Sequence, residues 1–82
     1  MNKLLKISEL AESLNLVSAK TKKPLNHILR YWEKEFKIIK PIILNKRRYY
    51  SENQINLIKL IKFLLKDNGI TIKGVKNILK SN

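Results

Sequence analysis

No cysteine and a single histidine occur among the 82 residues, so neither a disulfide, a thiolate cluster nor a multi-histidine metal site can staple this chain. Its stability must come from one apolar core. A chain this short is near the lower size at which a core suffices, burying only about 60% of its unfolded surface. One small domain over 1–82 is expected, without a cofactor, and a two-domain enzyme is excluded. Every apolar run is broken within a few positions by Lys, Asn or Pro, far short of the roughly 18 residues of a membrane span. The segment Met1–Lys6 lacks the apolar region and small-residue cleavage site of a leader peptide. A cytoplasmic chain with no membrane partner is the expectation.

Local patterns locate the core. Ile7–Leu14 reads as a short helix, with Ser8 as N-cap, Glu9 and Glu12 in its first turn, and Leu10, Ala11 and Leu14 on one face. Asn15–Lys23 has no apolar period and runs into Pro24, a loop ahead of a helix start. Leu25, Ile28, Leu29, Trp32 and Phe36 then recur at steps of three and four, the stripe of a second helix. Pro41–Leu44 and Arg47–Tyr50 are β-prone runs around Asn45-Lys46. A small hairpin follows, in which Asn45 tolerates positive φ and Lys46 suits a two-residue primed turn less well than glycine. Ser51–Gln54 carries a capping-box signature for a third helix with Ile55, Leu57, Ile58, Ile61, Phe63, Leu64 and Leu65. Asp67-Asn68-Gly69 stops it, with Gly69 as the left-handed cap. Thr71 caps a last helix whose core face is Ile72, Val75, Ile78 and Leu79.

Charge is the second constraint. The sequence holds 18 Lys+Arg against 6 Asp+Glu, a net charge of +12. A coding bias toward Lys, Ile and Asn accounts for abundant lysine, yet it would favour acids too, so the imbalance calls for an anionic partner. Residues 1–19 balance; residues 20–50 hold ten basic residues against Glu33 and Glu35 alone, and so carry most of the excess. Within that segment, the side of the second helix opposite its stripe bears His27, Arg30, Tyr31 and Lys34, while Glu33 and Glu35 fall on the flanks. A solvated helix face usually mixes Glu with Lys. This one offers two cations, a phenol and an imidazole, all able to donate to phosphates and base edges. Trp32 aligns with Leu29 and Phe36 and reads as core. In the hairpin, alternation sends Arg47 and Tyr49 to one face and Arg48 and Tyr50 to the other. Arginine matches phosphate geometry, although charges at a sheet edge also guard against aggregation. Lys20, Lys22 and Lys23 complete a clustered footprint, which points to nucleic acid.

Four motifs in order carry a family likeness: Ile7-Ser8-Glu9-Leu10-Ala11; Leu29-Arg30-Tyr31-Trp32-Glu33 with Ile39-Lys40-Pro41; Arg47-Arg48-Tyr49-Tyr50-Ser51; and Thr71-Ile72-Lys73-Gly74-Val75-Lys76. Together they resemble the DNA-binding domain of the MerR family of bacterial transcription regulators, over about residues 7–80. The resemblance implies a mainly α winged helix-turn-helix. Residues 8–14 would be the supporting helix, 25–36 the recognition helix, 41–50 a small two-stranded β wing, and 52–66 with 71–80 a C-terminal helix pair. It further implies a recognition helix in the major groove, with Arg30 and Tyr31 reaching bases and phosphates, Arg48 on the backbone and Tyr50 bracing the wing. The expected DNA-binding set is thus His27, Arg30, Tyr31 and Lys34 on the helix, Lys46, Arg47, Arg48 and Tyr50 in the wing, and Lys20, Lys22 and Lys23 in the loop. Two local departures accompany the likeness: the 15–24 connection is longer than the family's compact turn, and the wing turn lacks glycine. The dimerisation helix and effector domain that usually follow are not expected in this sequence, nor is a small-molecule effector.

Sequence-specific binding of double-stranded DNA in transcription is the leading reading, alone, as a homodimer or beside a partner protein. An architectural or excisionase-like DNA-binding accessory protein is the alternative, and a basic RNA-binding protein ranks below it, since Tyr49 and Tyr50 lie in a short hairpin with no broad aromatic sheet. An enzyme is not expected. His27 has no nucleophile and acid close in sequence, Asp67 belongs to a helix stop, and there is no glycine-rich phosphate loop.

Overall fold

The stripe of the second helix forms the middle of the core. In the computed structural model, which describes residues 4–80, helix α2 spans Asn26–Glu35. It buries Leu29 and Trp32, and Phe36 follows them inward just past its end. Residues 1–3, the first part of the segment read as lacking a leader, and residues 81–82 lie outside the described residues. Ahead of α2, helix α1 spans Ile7–Ser13 and buries Leu10 and Ala11 completely. Its cap lies two residues earlier than expected, because the Lys6 N–H donates to the Glu9 carboxylate at 2.9 Å and Lys6 becomes the N-cap. Ser8, read as the N-cap, instead accepts from the Asn26 side-chain amide at 3.1 Å and ties α1 to α2.

The long connection between these helices is closed on itself. Leu16 is buried, takes a bond from its own N–H to Ala11 O at 2.8 Å, and accepts at 2.8 Å from Leu25 N–H. Val17 and Pro24 form a β-bridge, and beyond it Ser18 N–H reaches Lys23 O while Lys22 N–H reaches Ser18 O, both at 2.9 Å. The extra residues therefore project as a tight lysine-bearing turn, and α1 still packs on α2.

The sheet has one strand more than expected. β1 (Leu4–Lys6), β2 (Ile42–Leu44) and β3 (Arg47–Ser51) are antiparallel in the order β1-β3-β2. Leu5 sits opposite Tyr50 and Ile43 opposite Arg48, so these four share one face of the sheet, which meets the helices at Tyr50 and leaves Ile43 exposed at the hairpin end. Tyr50 is fully buried there. The hairpin turn is Asn45-Lys46 with φ of 50° and 65°, a primed pair whose twist matches the strands although neither residue is glycine.

Helix α3 spans Glu52–Lys62, capped by Ser51 Oγ, which accepts from Gln54 N–H at 3.4 Å. The other half of the expected capping box is absent: the Gln54 amide accepts from Lys40 N–H at 2.8 Å and donates to Ile38 O at 3.2 Å, pinning the strand approach. The expected continuous helix to residue 66 ends instead in a π turn, Phe63–Asp67, closed by Asn68 N–H to Phe63 O. Gly69 follows with φ of +65°. Helix α4 spans Ile72–Lys80, capped by Thr71 Oγ1 accepting from Gly74 N–H at 3.0 Å. A Cβ on Gly74 would meet Ile70 Cγ2 at 2.7 Å, so this position needs glycine for close approach. Ile55, Ile58, Ile61 and Val75 are buried as expected, but Phe63 and Ile78 are 50% and 44% exposed. At 100° per residue Phe63 lies opposite the Ile55–Ile58–Ile61 stripe, and Ile78 lies about a quarter-turn from the Ile72–Val75–Leu79 face.

An L-residue in the left-handed region costs roughly 1–2 kcal/mol. Lys46→Gly should therefore stabilise the domain by about 1 kcal/mol and raise Tm by several degrees. A thermal melt in which Tm is unchanged or lower would show that the turn carries no strain at Lys46.

Candidate nucleic-acid interface

Burying Leu29, Trp32 and Phe36 turns the opposite side of α2 outward. His27, Arg30, Tyr31 and Lys34 are all exposed, with half of Tyr31 accessible. None of the four engages in an ion pair among the described residues. Lys34 lies in the last turn, where a cation complements the helix dipole. The row is thus rigidly presented and electrostatically unspent.

The wing divides its basic residues between two faces. Arg47 points outward with Tyr49, and Lys46 occupies the exposed turn. Arg48 points toward α2 and is captured there: its Nε donates to Glu33 Oε1 at 2.8 Å, and its Nη2 lies 3.5 Å from Oε2. This fork joins the wing to the flank of the recognition helix across a partly buried contact. The bond from Glu33 raises the Arg48 pKa above its ordinary value, with burial acting against it. Tyr50, included in the wing's expected DNA-binding set, is inaccessible to any ligand. Its ring fills the core beneath the sheet, so it braces the wing and makes no surface contact. Its hydroxyl has no hydrogen-bond partner among the described residues, and burial pushes its pKa up to about 12.

Lys20, Lys22 and Lys23 are exposed around the closed turn between α1 and α2, with Lys22 at a φ of 62°. What the fold brings together is a cleft of about 190 Å³ in which Arg30 from α2 meets Lys46, Arg47 and Arg48 of the wing. Lys6, Ile7 and Ser8, at the junction of β1 and α1, complete it. Lys6 was not among the expected contacts, because nothing in Leu4-Leu5-Lys6 marks a strand whose partner lies more than forty residues away.

No group of three His, Cys, Asp or Glu able to hold a metal ion occurs among the described residues. Nor, among them, is any helix long and apolar enough to cross a membrane. A helix with an exposed donor-rich face, a preceding helix packed on it and a basic hairpin beside it define a winged helix-turn-helix DNA-binding domain. The family model described as MerR HTH family regulatory protein matches residues 5–82. The chain belongs to this family, whose members are DNA-binding transcription regulators. No curated protein and no solved structure matches it.

Tyr50 sets a pH signature. Its buried phenol holds its proton more tightly than the ordinary tyrosine value of about 10 that applies in the unfolded chain, so its stabilising contribution is complete below pH 10 and is lost as pH rises toward about 12. Tyr50→Phe should abolish that alkaline loss. At neutral pH it should be neutral or stabilising by up to about 1 kcal/mol, since no protein partner is forfeited. Denaturation midpoints of both proteins between pH 7 and 11 measure this; a Phe variant with the wild-type alkaline slope would assign the titration elsewhere.

Proposed function

We propose that this domain reads sequence in duplex DNA, with α2 in the major groove and the wing on the flanking backbone, to regulate transcription in a bacterial nucleoid. The observation that carries the reading is the outward row His27, Arg30, Tyr31 and Lys34, held in fixed register by the buried Leu29 and Trp32. His27, Arg30 and Lys34 would read base edges, where arginine favours the two acceptors of guanine. Phosphates would be met by Tyr31, by Lys20, Lys22 and Lys23, and by Lys46, Arg47 and the uncommitted edge of Arg48. The domain acts as one unit. A single module of this size buries roughly 600–1,000 Å² on DNA, so tight operator binding calls for a second copy or a partner protein on an adjacent half-site.

Selection of bound sequences from a random duplex pool, followed by affinities in a salt series, tests this. With about five to eight phosphate contacts, log affinity should fall against log salt with a slope of roughly −5 to −7. Arg30→Ala should relax preference at one base pair by about 1–3 kcal/mol while leaving others intact. Equal affinity for all duplexes, or near-independence of salt, would overturn the reading.

A further inference from the structure

We propose that the groove between the end of α2 and the end of α4 docks a partner protein, through an acidic segment that carries an apolar anchor. The inference goes beyond the DNA contacts set out above and rests on that reading only for the partner's place beside a duplex. Glu33 and Glu35 fall on opposite flanks of α2, roughly 160° apart at 100° per residue. Glu33 holds the wing through Arg48, whereas Glu35 holds α4 through Lys76 Nζ at 3.2 Å. The groove, of about 320 Å³, opens along the Glu35 flank, and no residue assigned to DNA contact lines it.

Its floor is apolar and its rim is basic. Phe36 and Leu79 form the floor, and beside them Ile38 is left 47% exposed. Lys37 comes from the α2 side, and Lys76 and Lys80, one helical turn apart, come from α4. Glu35 offsets one of these three charges and leaves the rim positive. Carboxylates on either side of a large apolar side chain match both parts at once. A DNA backbone would satisfy the lysines and leave the floor uncovered. A second copy of this chain lacks the acids: of its six, Glu33, Glu35 and Asp67 are in ion pairs and Glu9 is bound at the start of α1. That leaves Glu12 and Glu52, on different helices, and pairing two copies would set +12 against +12. Small ligands are enclosed in pockets of roughly 300–1,000 Å³. An open groove at the bottom of that range suits the single anchoring side chain of a longer segment.

The test uses the full chain and a labelled, end-blocked helical peptide of Glu and Ala with one Leu pair at i and i+4. The peptide should bind, shift amide resonances at residues 35–38 and 76–80, and stay bound when the selected duplex is added. Replacing its leucines by Ala should weaken binding at least about tenfold. Ile38→Gln and Lys80→Glu, both at exposed positions, should each weaken it by about three- to tenfold. Lys66→Glu makes the same change of net charge at an exposed site outside the groove, and should alter affinity by about twofold or less. Equal losses in Lys66→Glu and Lys80→Glu, or full binding of the alanine peptide, would reduce the contact to bulk charge and overturn the proposal. Displacement by the duplex, or shifts centred on His27, Arg30, Tyr31 and Lys34, would return the groove to DNA and overturn it too. Octanoate binding more tightly than the peptide would make the groove a small-ligand site, with the same consequence. Absence of peptide binding beside normal duplex binding fails the groove alone; peptide binding as described without binding of any duplex supports the groove and fails the DNA reading.

Discussion

Arg48 and Tyr50 leave β3 on the same side, and that pair of side chains holds the wing against the recognition helix. Tyr50 supplies burial and Arg48 supplies direction. The arrangement depends on register, because a slip of one residue along β3 would turn Arg47 and Tyr49 inward and expose the tyrosine of the core. A two-residue turn fixes the register from one side and β1 from the other. A lone hairpin of strands this short would be marginal in water, so the third strand is what makes the wing a rigid body.

The acids of this basic chain are placed with economy. The three ion pairs among the described residues use Glu33, Glu35 and Asp67, partnered with Arg48, Lys76 and Lys62. Glu9 is engaged at the start of α1. None of these partners lies on the outward row of α2 or in the lysine turn. The positive field is therefore depleted where elements must be joined and left intact where they face outward. In solvent-exposed positions such pairs add little stability, typically below about 1 kcal/mol. Their arrangement bears more on the shape of the field than on the strength of the fold.

Much of this was legible because helices write their burial into a period. The α2 stripe, the closing Gly69, the Thr71 cap and the exposed row from His27 to Lys34 all follow from residues within a few positions of one another. What escaped depends on distant partners. β1 has three residues and no period, and is a strand only because β3 offers its edge. Gln54 looked like half of a capping box, but Ile38 and Lys40 compete for its amide. Arg48 looked free because its acceptor sits fifteen residues earlier. Phe63 was drawn into the core by hydrophobicity alone, against the angle its own stripe imposes.

The long connection between α1 and α2 shows how an insertion can be absorbed. Added chain usually threatens the angle between the two helices of such a motif, since any slack is shared by both. Here the slack is removed at the base, where Leu16 is buried and bonded to Ala11 on one side and Leu25 on the other. The Asn26 to Ser8 bond and the α1 core residues then set the angle independently of what the turn contains. Residues above the Val17–Pro24 bridge are released from any packing duty. Under the proposed function, that freedom lets three lysines be carried at no cost to the geometry of the recognition helix, and it makes the turn the part of the interface most open to change.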